Sequence, residues 1–126
     1  GREAADGALR RVGLDPDDRR PVRTYSLGMR QRLSLAQAIG EGPSLVILDE
    51  PTNGLDPGGI IGMRTLVRGL ADGEGMGVLL ASHLLAEVEA VCDRVIIIKS
   101  GRMQGIHVPG EASTLEHAYL DATGGL

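Results

Sequence analysis

The segment "SLVILDEPTNGLDPGG", Ser44 to Gly59, constrains this chain more than any other stretch. It sets an unbroken aliphatic run against two adjacent acids, followed by a proline and a glycine-rich turn. An apolar run of this length without polar alternation predicts a central strand of a parallel sheet, covered on both faces. Asp49 and Glu50 then fall at its C-terminal end. Neighbouring carboxylates repel each other and resist desolvation, so the pair needs a cation, a donor network or a water to activate. Two readings stand on these residues alone. The acids handle a hard cation, which prefers oxygen ligands, and a water beside it; or they cap the turn "PTNG" through its backbone N–H groups.

Periodicity extends the pattern in both directions. Ala5, Ala8, Leu9 and Val12 have helical spacing over residues 4–12, and "GLDPDDRRP" breaks it. Ser26 is placed as the N-cap of a second helix, with Met29, Leu33, Ala36 and Ile39 on one face up to Gly40. Asp56 and Pro57 are the N-cap and first residue of a third, striped by Ile60, Met63, Val67 and Leu70 and stopped by Gly73. "GVLLAS" is a second buried strand, Leu84, Val88, Val91 and Cys92 mark a helix, and "RVIIIK" is a third strand. "KSGR" turns it into "RMQGIHV" as a hairpin. Ser113 and Glu116 have capping-box spacing for a terminal helix with Leu115, Tyr119 and Ala122 on one face. This alternation predicts an α/β fold with ligands outside the carboxyl ends of the strands, where Asp49, Glu50 and His83 fall.

Composition narrows the function classes. The 126 residues, 42% of them hydrophobic, allow one domain burying roughly two thirds of its unfolded surface. Trp and Phe are absent and Tyr occurs twice, which argues against stacking on bases. Residues 1–32 carry eight arginines against five acids, but Asp15, Asp17 and Asp18 interleave them and neutralise the patch, so no nucleic-acid partner is expected. The single cysteine, Cys92, fits a reducing compartment and packs as a small apolar residue. No apolar run approaches the roughly 18 residues of a membrane span, so the chain is expected to be soluble by itself. Gly1 falls inside a helical pattern, which predicts a fragment. His107 and His117 have no partners at metal-ligand spacing and are read as surface residues.

An ordered set of motifs decides between the two readings of the acids. "YSLGMRQRL" precedes the strand, "NGLDPGG" follows the acids, and "LLASH" lies about thirty residues further on. The set resembles the ATP-binding cassette family, the nucleotide-binding subunits of ABC transporters. The resemblance implies the C-terminal part of a P-loop NTPase-like fold: a mainly parallel sheet flanked by helices, ending in a β-hairpin and helix. Residues 1–43 would belong to the helical subdomain with the signature motif. Residues 44–108 would hold half of the RecA-like core, and 109–126 the C-terminal helix.

By the same resemblance, the signature maps to Tyr25, Ser26, Leu27, Gly28 and Met29, with Leu27 standing for the first glycine of LSGGQ and Met29 for its glutamine. Walker B is Leu45 to Asp49, with Asp49 on Mg²⁺ and Glu50 as the catalytic base. The D-loop is Gly54, Leu55 and Asp56, and His83 is the switch histidine. The cofactors implied are ATP and Mg²⁺. The partners implied are a second nucleotide-binding subunit, in a head-to-tail dimer, and a transmembrane permease that holds the protein at the inner face of the cell membrane. "YSLGM" with "RQRL" is similar to cassettes of the bacterial branch that moves drugs, peptide antibiotics or lipids. GxxxxGK[ST], the phosphate cradle of this fold, is absent, and the one lysine, Lys99, has no glycine before it. The chain is therefore expected to be inactive alone, with apolar sheet edges exposed. Two alternatives remain: a non-catalytic module that caps a partner's ATP, and a cassette ATPase of a non-transport system.

Overall fold

The computed structural model describes residues 1–125. Two compact units divide the chain, Gly1–Ala81 and Ser82–Leu126. The first contains α1 (Arg2–Arg11), a 3₁₀ turn at Val22–Thr24, α2 (Leu27–Ile39), β1 (Leu45–Asp49), α3 (Pro57–Glu74) and β2 (Gly77–Ala81). Strands β1 and β2 pair in parallel, from Leu45 opposite Gly77 to Asp49 opposite Ala81. α2 packs on β1 and α3 on β2. The core gathers Ala8 and Val12 of the α1 region, Leu35, Ala36 and Ile39 of α2, Val46 and Leu48 of β1, and Met63, Val67 and Leu70 of α3.

One expectation about this sheet is corrected. Burial alternates along β1: Val46 and Leu48 are buried, whereas Leu45 is 56% and Ile47 66% exposed, with Leu79 on β2 at 54%. Side chains on a strand alternate between faces, so helices cover one face of the pair and leave the other bare. Asp49 lies on that bare face, two residues beyond Ile47.

Helix ends follow local chemistry. Ser26 Oγ accepts from Met29 N at 3.1 Å, and Asp56 Oδ1 from Gly59 N at 2.7 Å, each satisfying a first-turn donor. α3 runs past Gly73 to Glu74 and closes on Gly75, whose φ of 64° suits a residue without Cβ. Gly69 and Gly73 are exposed inside this helix, and a Cβ on either would meet nothing within 4 Å. Gly69→Ala and Gly73→Ala are each expected to stabilise the fold by about 0.5–1 kcal/mol, and Gly75→Ala to destabilise it. Thermal unfolding checks this, and a lower Tm for the first two would contradict it.

The second unit holds α4 (Leu85–Val91), β3 (Val95–Lys99), β4 (Arg102–His107) and α5 (Leu115–Thr123). β3 and β4 form an antiparallel hairpin whose turn residues, Ser100 and Gly101, have φ of 52° and 74°. Two positive φ values match the twist of the strands. α5 is capped by Thr114, which accepts from His117 N at 3.1 Å, rather than by Ser113. Leu115 is buried, whereas Tyr119 on the expected apolar face is exposed. His107 is also corrected: it is 2% exposed, and its Nε2 lies 3.0 Å from Glu89 Oε2 on α4. A buried imidazole needs such a partner, which a surface histidine does not. His117 is exposed and pairs with Asp121.

Candidate functional site

Parallel pairing and one tight turn build the tip of β1. The N–H of Glu50 donates to Ala81 O at 2.8 Å, extending the ladder one step past Asp49. The chain then turns at Glu50, whose φ of 49° lies in the left-handed region that L-residues avoid at a cost of roughly 1–2 kcal/mol. Its carbonyl accepts from Asn53 N at 3.1 Å, and Thr52 O from Leu55 N at 3.1 Å. Pro51 and Thr52 are buried beneath this turn. Asp49 is left exposed at the strand tip, Glu50 is half-buried, and Asp56 starts α3.

The amino end of α2 meets that turn. Leu27 Cδ2 lies over Gly54, where an added Cβ would be only 2.9 Å away, and Gly54 has φ 77°. In the other direction, Leu55 Cδ2 sits 3.9 Å from the Cβ position of Gly28. Ser26, Leu27 and Gly28 are thereby brought together with Gly54, Leu55 and Asp56. Met29 is half-buried in the first turn of α2, with its N–H engaged by Ser26.

Charged side chains fix the approach to α2. Arg20 grips Asp18 through Nε and Nη2, at 3.1 and 2.7 Å, and its guanidinium carbon lies 5.9 Å over the ring of Tyr25. The Arg20 hydrogen bonds hold the Asp18 carboxyl below the usual carboxylate range and raise the guanidinium in turn. One turn into α2, Arg32 Nη1 donates to Val12 O at 3.1 Å. Its head fills the space beside Gly13 and Gly62, where a Cβ would lie 2.6 and 2.7 Å from its nitrogens. Helical periodicity alone assigns Arg32 no role; its signal is the pair of glycines, distant in sequence, that make room for it.

His83 opens the second unit, two residues after β2 ends, and is exposed. Leu84 N donates to Ser82 Oγ at 3.1 Å, shaping the turn that presents it. The one lysine is used elsewhere: Lys99 Nζ donates to Thr123 O at 2.9 Å, near the C-terminus of α5. Among the described residues, no three His, Cys, Asp or Glu side chains gather as a metal cage. A Mg²⁺ ion bound through one carboxylate, waters and phosphates needs no cage, and an exposed Asp49 fits that donor set. No helix among the described residues is long and apolar enough to cross a membrane.

The profile of the ABC transporter family matches residues 2–53. An uncharacterized ABC transporter ATP-binding protein of Bacillus subtilis is 51% identical over 120 residues, 94% of this chain and 39% of that protein. The bacitracin transport ATP-binding protein of Bacillus licheniformis is 45% identical over 102 residues, 81% of this chain and 33% of that protein. The chain thus spans well under half the length of these relatives. Among solved structures, a part of the cbiONQ ABC transporter complex from Clostridium perfringens superposes with a TM-score of 0.77 and 32% identity, over 86% of this chain and 43% of that one. The chain belongs to the ATP-binding cassette family.

Proposed function

We propose that these residues form the C-terminal part of a cassette that binds and hydrolyses ATP to drive transport through a membrane permease, with the phosphate-binding loop supplied from outside the chain. The tip of β1 carries this reading. Asp49 stands exposed at the end of an uncovered apolar face, beside a Glu50 held at positive φ. Strained backbone of this kind persists where the surrounding structure over-determines it, and such positions cluster at active sites.

In this reading Asp49 holds Mg²⁺, which when bound offsets the charge of the phosphates. Glu50 takes the proton of the attacking water, and His83 positions the γ-phosphate. Ser26, Leu27, Gly28 and Met29 face the ATP of a second subunit in a head-to-tail dimer. Ser26 accepts the Met29 N–H, which leaves its own hydroxyl proton to donate, and the helix amino end favours negative charge. Asp56 couples the two sites. The protein then lies on the cytoplasmic side of its membrane, held there by the permease, and the bacitracin relative makes drugs or peptide antibiotics the favoured cargo.

The phosphate cradle is the part these residues lack. No GxxxxGK[ST] occurs in the sequence, and Lys99 is committed to α5. The bare face made by Leu45, Ile47 and Leu79 is a surface on which the missing part of the core could pack. The same absence favours, as a second reading, a non-catalytic module that caps a partner's ATP through Ser26 and Gly28. Calorimetric titration of the chain with ATP and Mg²⁺ is expected to show no saturation in the micromolar range. Micromolar binding would place the cradle inside these residues and overturn the reading.

A further inference from the structure

Two leucines and two glycines interlock at the junction between α2 and the turn after β1. Leu27, in the first turn of α2, covers Gly54, and Leu55, in the turn, reaches back to Gly28. Gly54 leaves the space that Leu27 fills, whereas at Gly28 the distance of 3.9 Å from the Cβ position to Leu55 Cδ2 is an ordinary van der Waals contact. The approach is closest at Gly54, where a Cβ at 2.9 Å from Leu27 Cδ2 would force something to move and where φ of 77° independently favours glycine. Within the turn, Asn53 N donates to Glu50 O and Leu55 N to Thr52 O, both bonds local to it. Both ends of the turn carry acids of the site: Glu50 begins it, and Asp56 follows it as the cap of α3.

Leu27 is 44% exposed, so its apolar surface is only partly spent on the core, and stability alone is a weak reason for a leucine at this position. What the contact does achieve is mechanical. It joins the amino end of α2, which reaches the sheet through its other end at Leu35, Ala36 and Ile39, to the loop that sets the backbone of Glu50 and Asp56.

We propose that Leu27 closed over Gly54, with Leu55 packed beside Gly28, forms a clasp that makes the amino end of α2 and the Glu50–Asp56 turn a single rigid lip, so that both present themselves to a nucleotide in fixed register. Leu27 is a positioning residue in this proposal, acting through Gly54. The assignment of the lip to nucleotide rests on the function proposed above; the clasp itself does not.

Amide hydrogen exchange on the full chain, with no nucleotide present, tests it. Leu27→Ala is expected to speed exchange of the Leu55 amide about tenfold, because the turn opens locally once its cover is removed. The Val46 and Leu48 amides should be unchanged, and Tm should move by no more than a few degrees. Leu27→Met, which keeps a long flexible side chain over Gly54, is expected to restore native exchange. Unchanged exchange at Leu55 in Leu27→Ala would overturn the clasp. Equal acceleration of the β1 amides, or no rescue by methionine, would overturn it too, because the leucine would then act through general stability or through helix propensity. Since ATP is absent, these outcomes stand whether or not the residues meet a nucleotide.

Discussion

Glu50→Gln, placed in a cassette that carries these residues together with a phosphate-binding loop, is expected to lower ATP turnover by about 10²- to 10⁴-fold, the usual contribution of a positioned general base. The substitution keeps the size of the side chain and removes only its charge and its capacity to take a proton. Two backbone hydrogen bonds that the substitution leaves in place hold its position: the Glu50 N–H bonds to Ala81 O, and its carbonyl accepts from Asn53 N. The loss should therefore fall on kcat, with ATP affinity retained and an ATP-bound dimer accumulating. Steady-state phosphate release, with size-exclusion chromatography in ATP and Mg²⁺, reads both effects. Undiminished turnover would remove Glu50 from the role of base.

Ile39→Ala is expected to cost the first unit about 2–5 kcal/mol. Ile39 is fully buried at the end of α2, among Leu35, Ala36 and the apolar face of the sheet, so removing its outer carbons leaves a cavity in a close-packed interior. Against a total stability of about 5–15 kcal/mol for an ordinary domain, this is a large fraction. Ile47→Ala is the control. Ile47 is the same residue type on the bare face of β1, 66% exposed, and its loss should change stability by no more than about 0.5 kcal/mol. Urea unfolding with an unchanged m-value separates the two. Equal destabilisation by both substitutions would mean that the face carrying Asp49 is covered.

The features legible in the sequence are those fixed by neighbouring residues. Ser26 and Asp56 cap their helices because a short oxygen-bearing side chain there reaches an N–H three residues on. The Ser100–Gly101 turn follows from the positive φ values that a two-residue hairpin requires. The motif order that marks the family is likewise read along the chain. Features set by distant partners were not legible. A purely aliphatic run such as Leu45–Leu48 has the same pattern whether one face or both are covered, so the bare side of β1 emerges only from what packs on it. His107 finds the partner for its buried ring in Glu89, eighteen residues away. Ser113 and Thr114 offer equivalent hydroxyls, and the structure selects the second. The fit of Leu27 over Gly54, and of Arg32 beside Gly13 and Gly62, needs three-dimensional proximity that spacing does not encode.

Asp49 stands exposed at the end of an uncovered apolar face in a chain without GxxxxGK[ST], and the triphosphate site proposed above is therefore divided between these residues and a cradle outside them. Paired calorimetric titrations with ATP and Mg²⁺ test it most directly, one on the chain alone and one on the chain extended at its amino end by the Walker A segment of a similar cassette. No micromolar saturation is expected for the first, and micromolar, Mg²⁺-dependent binding, weakened by Asp49→Asn, for the second. Equal binding by both, or binding by the extended chain that ignores Asp49, would contradict it.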